Sequence, residues 1–170
     1  LQNGKIEVGF LGGAQIDRWG NINTTVIGKY DKPKVRLPGS GGAAEIAVHA
    51  QRVLIISRLN PRAFPAELDF LTSPGQRCKG KKRKELGMPG AGPVKVITDR
   101  GILESDPETG EMILTALYPG NTVEEVKANV QAFLYDWAMG DRGRTREELQ
   151  AIWDRLAPHI PKRYHQEIEG

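Results

Sequence analysis

Residues 52–59, RVLIISRL, form an apolar run with charged residues only at its ends. A run this short, rich in β-branched residues and without an alternating polar face, reads as a strand covered on both faces. The segments around it read as many short strands with few, late helices, which makes an α/β domain with a mixed sheet. Gly9 to Ile16 reads as a buried strand, residues 17–21 as a turn, and Thr24 to Ile27 as a β-branched return strand of a hairpin. A polar loop, KYDKPKVRLP, follows, and a short helix is predicted from Ala43 to Gln51. A further short strand is predicted from Leu68 to Thr72. Residues 94–99, 101–106 and 112–119 read as strands, the last two joined by a tight turn at Pro107 to Gly110. Thr122-x-x-Glu125 and Thr145-x-x-Glu148 are capping boxes, and the second opens a helix with Leu149, Ile152, Trp153 and Leu156 on one face.

At 170 residues the chain is long enough for one domain with a real core and too short for two. The expectation is therefore a single domain over 1–170, with 130–170 as a helical tail. No apolar run approaches membrane-spanning length, and residues 1–8 lack the pattern of a signal peptide. The apolar pattern is already under way by Ile6 and there is no initiator Met, which suggests a fragment or a processed piece. Cys78 is the single cysteine, so no internal disulfide can form and a cytoplasmic home is expected, with Cys78 a structural thiol. No Cys, His or carboxylate pair falls at metal-ligand spacing.

The net charge of +3 conceals an uneven distribution. Arg77, Lys79, Lys81, Lys82, Arg83 and Lys84 place six positive charges within eight residues. Setting these aside from the twenty-four lysines and arginines leaves eighteen against twenty-one acidic residues. The body is mildly acidic and the basicity belongs to one loop, read as a solvated surface loop. No aromatic residue is interleaved for stacking on bases, so a nucleic-acid partner is not favoured.

Gly39-Ser40-Gly41-Gly42-Ala43 places three glycines directly ahead of the predicted helix. Glycine permits backbone conformations closed to other residues and lets a ligand approach main-chain amides. Amides at a helix N-terminus favour an anion or a developing oxyanion. A plain crossover turn is the competing reading. Gly39-x-Gly41-x-x-Ala44 also matches the dinucleotide fingerprint by letter. However, KPKVRLP ahead of it is no apolar strand, and residues 54–60 end in Arg58 and Asn60 rather than an acid. Glu45 reads as a first-turn residue complementing the helix dipole. Trp19 reads as core, and Asp17, Asn21 and Asn23 as residues that hold the turn by local side-chain bonds. Asn21 and Asn23 are also candidates for a substrate cleft bordering the glycine loop.

GGAQIDRWGNINTTVIG, KPKVRLPGSGGAAEIA, DFLTSPG, LGMPGAGPVKVITDRGIL and ALYPGNTVEEVKANV, in this order and spacing, resemble the β subunit of class I CoA-transferases of the glutaconate CoA-transferase kind. The resemblance covers most of residues 6–130. It implies an α/β fold of the CoA-transferase type (NagB/RpiA/CoA-transferase-like), a mixed sheet with flanking helices, here N-terminally incomplete. It further implies an α-subunit partner in a hetero-oligomer of α2β2 size or larger, with no membrane association. The implied reaction is ping-pong transfer of CoA between an acyl-CoA and a carboxylic acid of dicarboxylic, glutaconate-like type. Coenzyme A thioester is then substrate, and no cofactor is permanently bound.

In such a mechanism a glutamate carboxylate attacks the thioester, while Gly39, Ser40, Gly41, Gly42 and Ala43 inherit the role of oxyanion donors or thioester neighbours. The family's Glu-Ser-Gly-like motif lies upstream of the GGAQ strand, and LQNGK contains nothing of the kind, so no catalytic nucleophile is assigned in this chain. The same scaffold with an altered nucleophile position implies the alternative chemistry, decarboxylation or hydrolysis and ring opening of a CoA thioester.

Overall fold

The structure, a computed structural model, describes residues 1–130. In chain order the elements are β1 (Val8–Leu11), β2 (Gln15–Ile16), β3 (Ile22–Asn23), β4 (Val26–Gly28), β5 (Pro33–Arg36) and α1 (Ser40–His49). They are followed by β6 (Arg52–Ile56), β7 (Arg77–Cys78), β8 (Lys81–Lys82), a 3-10 turn at Arg83–Leu86, β9 (Pro93–Ile97), β10 (Gly101–Ser105), β11 (Met112–Leu117) and α2 (Val123–Asn129). The helical tail predicted beyond residue 130, with its capping box at Thr145 and its apolar face, lies outside the described residues.

The apolar run at 52–59 does form a strand, and β6 sits second in a five-stranded sheet of order β1-β6-β9-β10-β11. β1, β6 and β9 run parallel, whereas β10 and β11 are antiparallel additions, giving the mixed sheet. The crossover from β1 to β6 passes through α1, which packs on one face of the sheet. Gly9 makes that approach possible, because a Cβ there would stand 2.5 Å from Ile46 Cγ2 and 3.2 Å from Ala50 Cβ. Ala43, Ala47 and Ala50 on this side meet Leu11, Val53, Ile55, Val96 and Leu103 in one core cluster.

Coverage on both faces of β6 is not what the described residues show. Val53 and Ile55 are fully buried, but Ile56 is 55% exposed and Phe10 of the neighbouring strand 62%. The strand predicted at 68–72 is also absent, leaving an isolated bridge between Ile22 and Ser73. The opening hairpin is divided: β1 joins the main sheet, while β2 and β3 pair with each other across the turn at 17–21. β4 pairs instead with β5, which the polar composition of residues 29–38 concealed.

The hairpin β10–β11 follows the sequence reading. Asp106 Oδ1 accepts from the amides of Glu108 (3.0 Å) and Thr109 (2.8 Å), and Gly110 closes the turn at φ +77. At α2 both halves of the capping box form: Glu125 N donates to Thr122 Oγ1 and Thr122 N to Glu125 Oε2.

Candidate functional site

The glycine loop does not precede the helix; it is the helix's first turn. Gly39 is the N-cap residue with φ −89 and ψ 7, and α1 starts at Ser40, three residues earlier than the sequence suggested. Gly41 and Gly42 therefore take helical dihedrals, and neither has a positive φ. Unusual backbone conformation is not why glycine stands there. What remains is space: a Cβ on Gly41 or Gly42 would meet nothing within 4 Å, and residues 39–42 are all exposed.

The first turn of a helix has amides without intrahelical acceptors, and Gly39 offers no side-chain cap. The amides of Ser40, Gly41 and Gly42 are thus open donors at the positive end of α1. Ala43 differs from the reading given to it. It stands one residue further on, where the helix's own ladder takes up the amide, and its side chain is 9% exposed in the core cluster. Glu45 is also displaced from its expected role. No acidic residue occupies the first turn, and Glu45 instead faces His49 at 3.4 Å.

The two ends of α1 are tied down by different segments. At the N-terminal end Thr24 Oγ1 donates to Gly39 O at 3.1 Å, and Thr24 N donates to Thr72 Oγ1 at 2.9 Å. The opening hairpin therefore does border the glycine loop, through Thr24 rather than through its asparagines.

Asn21 and Asn23 are buried at 4% and 0% exposure, and both hold the chain together. Asn21 Nδ2 donates to Asp17 Oδ2 (2.7 Å) and Arg77 O (2.8 Å), while its Oδ1 accepts from Gly75 N (2.6 Å). Asn23 Nδ2 donates to Gln15 Oε1 and Val26 O, each at 2.7 Å, and its Oδ1 accepts from the amides of Thr25 and Val26. Every side-chain N–H of both residues is engaged, so neither has a donor left for a ligand. Asp17 is part of the same turn: its Oδ1 accepts from Trp19 N and Asn21 N, both at 2.9 Å. Burial nonetheless pushes its carboxyl above the ordinary aspartate range. Trp19 is only half-buried, with the Arg18 guanidinium 5.5 Å from its ring.

At the other end of α1 stands a residue that sequence reasoning did not single out. Arg83 sits within the basic run, yet it is 6% exposed. Its Nη2 donates to Ala47 O (2.8 Å) and Val48 O (3.3 Å), at the end of the helix that begins with the glycine loop. The four lysines of the run, Lys79, Lys81, Lys82 and Lys84, are exposed as the sequence indicated, on or beside the hairpin β7–β8, whereas Arg77 is half-buried in β7 and its Nε donates to Thr109 O at 2.8 Å. Charge density alone could not distinguish Arg83 from them. Cys78 is half-buried, and burial raises its thiol above the ordinary value. Among the described residues no group of His, Cys, Asp and Glu could hold a metal ion, and no helix is long and apolar enough to cross a membrane.

Residues 1–129 match the family described as Coenzyme A transferase. A subunit of the 3-oxoadipate CoA-transferase of Pseudomonas knackmussii is 57% identical over 129 residues, which is 76% of this chain and 50% of that protein. A subunit of the glutaconate CoA-transferase of Acidaminococcus fermentans is 44% identical over 123 residues, covering 72% of this chain and 46% of the relative. The crystal structure of glutaconate coenzyme A-transferase from that organism superposes with a TM-score of 0.67 at 43% identity, covering 74% of this chain and 48% of the other. The decarboxylase AibA/AibB has a TM-score of 0.63 at 24% identity, a likeness of fold alone. The chain spans about half the length of the relatives it matches.

Proposed function

Because the chain belongs to the coenzyme A transferase family, we propose that it carries the thioester-holding part of the β subunit of a two-subunit CoA-transferase. The observation that carries this reading is the open first turn of α1, where three adjacent amides have neither intrahelical acceptors nor a side-chain cap. In the proposed reaction a glutamate carboxylate, supplied from outside the motifs of this chain, attacks the acyl-CoA carbonyl. The carbonyl oxygen becomes an oxyanion, and the amides of Ser40, Gly41 and Gly42 donate to it. Collapse expels CoA thiolate and leaves a mixed anhydride. The thiolate then attacks the glutamyl carbonyl, releasing the first carboxylate and leaving an enzyme–CoA thioester. An acceptor carboxylate attacks this thioester, and the same steps run in reverse. The first tetrahedral carbon is that of the acyl group and the next that of the glutamate, and the turn of fixed amides is assigned to the oxyanion on the acyl group.

Relatives named for 3-oxoadipate and glutaconate support a dicarboxylic acid as substrate, and their naming as one subunit of each enzyme supports an α-subunit partner. The test is the complete β subunit produced together with its α subunit, assayed for CoA transfer from succinyl-CoA or acetyl-CoA to 3-oxoadipate or glutaconate. Parallel double-reciprocal lines with one of these acids support the reading. Thioester consumption with no transfer to any acid contradicts it.

A further inference from the structure

We propose that Arg83 is a positioning residue for the thioester-holding turn, acting through the opposite end of α1; this rests on the function proposed above. A guanidinium has five N–H donors and no acceptor. In Arg83 all five are matched by backbone carbonyls from three separate segments. Nε donates to Gly90 O at 2.9 Å, Nη1 to Pro74 O (3.2 Å) and Gly75 O (3.1 Å), and Nη2 to Ala47 O and Val48 O. No donor is left over for a ligand, and among the described residues no carboxylate pairs with it. Its charge sits at the negative end of α1, on carbonyls that a helix end leaves without partners.

The surroundings are shaped to this one side chain. A Cβ on Gly92, whose φ is +74, would stand 2.8 Å from Arg83 Cδ, Nε and Cζ. A Cβ on Gly90 would run into Ala50 O. Residues 74–75 are themselves anchored, since Gly75 N donates to the buried Asn21. The guanidinium thus fixes the end of α1 to the turn at 17–21 and to the loop at 90.

The N-terminal turn cannot fix itself. Gly41 and Gly42 are poor helix formers with no side chain to pack, and there the described tie is the Thr24 hydroxyl on Gly39 O. Where the amides of residues 40–42 point is therefore set by how the rest of α1 is seated. Its far end lies roughly 15 Å away for ten residues at 1.5 Å each. A lysine would keep the charge but brings three donors on one nitrogen against five carbonyls, and has no planar fork to span them.

The test uses the complete two-subunit enzyme carrying Arg83→Lys, Arg83→Ala or Gly92→Ala. Misaimed oxyanion donors should lower kcat on the order of 10²-fold in folded Arg83→Lys, while KM for the acyl-CoA changes little. Methylguanidinium added to Arg83→Ala should restore turnover. Amide hydrogen exchange at residues 44–48 should quicken in Arg83→Lys while β9 and β10 keep their protection. Gly92→Ala crowds the guanidinium without removing it and should show the same kcat loss in smaller degree; it serves if the arginine variants do not fold. Folded variants with parental kcat and unchanged exchange in α1 overturn the proposal, as does a loss that only tracks the unfolded fraction and ignores methylguanidinium. If the parent enzyme transfers no CoA, the proposed function falls, while the exchange comparison still decides whether Arg83 seats the helix.

Discussion

Replacing Gly41 or Gly42 with alanine should make this protein more stable and a worse enzyme at once. Both glycines lie in the first turn of α1 with helical dihedrals, so alanine meets no conformational penalty. A Cβ at either position would meet nothing within 4 Å beyond its neighbours and its own helix backbone, so alanine meets no steric penalty either. Glycine in a helix is less favourable than alanine by roughly 0.5–1 kcal/mol, mostly through the entropy of the unfolded chain. A gain of that size should raise the melting temperature by about 1–4 °C in a domain of this length. The added methyl, however, stands beside the amides that receive the oxyanion in the proposed mechanism. Alanine keeps the N–H, so the methyl acts by holding the carbonyl off an amide, and the loss should approach the cost of removing one such donor, on the order of 10²–10³-fold in rate. The assay is steady-state transfer by the complete two-subunit enzyme, with a thermal melt of each variant, and Ser40→Ala as a variant of small expected effect. A Gly42→Ala protein that melts higher and turns over at the parental rate refutes the reasoning, because the turn would then have no need of glycine for ligand approach.

Asn23→Ala should lower stability by about 2–3 kcal/mol, since it leaves the amides of Thr25 and Val26 without their acceptor and Val26 O and Gln15 Oε1 without the donor they face; chemical denaturation reads this as a lower midpoint. Asp99 accepts from Leu59 N at 2.7 Å, and that bond holds its carboxyl below the ordinary aspartate value of 3.8. A depressed folded-state value means stability that is present above 3.8 and lost as pH falls through the folded value. The difference in melting temperature between the parent and Asp99→Asn should therefore be largest near neutrality and shrink in acid; a constant difference across that range contradicts it.

The strands that the sequence made legible are those whose pattern is local. The hairpin β10–β11 is written in the Asp106 turn and Gly110, and the start of α2 in Thr122 and Glu125, because each motif satisfies its own backbone. β5 was hidden because an exposed edge ribbon such as Pro33–Arg36 needs no apolar alternation. The strand expected at 68–72 failed for the opposite reason. Its apolar residues are present, but Asp69 turns to Gln15 and Gly28, and Tyr30 stacks on Phe70 at 5.3 Å. Those side-chain ties hold the segment without a ladder.

At the site, the glycine turn stood out by composition, but its helical state did not. Three glycines so close together argue against a helix on propensity, and what overrides this is the seating of Ala43, Ala47 and Ala50 on the sheet. Arg83 was illegible for a different reason. Six cations in eight residues look alike until the fold places one of them at the end of α1.

In the proposed reaction CoA is carried by the enzyme between two carboxylates. Isotope exchange tests this with a single acid: the complete two-subunit enzyme is given one acyl-CoA and its own free acid in labelled form, with no second acid present. Label should pass into the thioester pool at a rate comparable to net transfer, with total CoA ester conserved, because a ping-pong intermediate forms and reverses before any acceptor arrives. Disappearance of thioester with release of free CoA or carbon dioxide, and no label entering the ester, would contradict a transferase and leave the glycine turn of α1 to some other thioester chemistry.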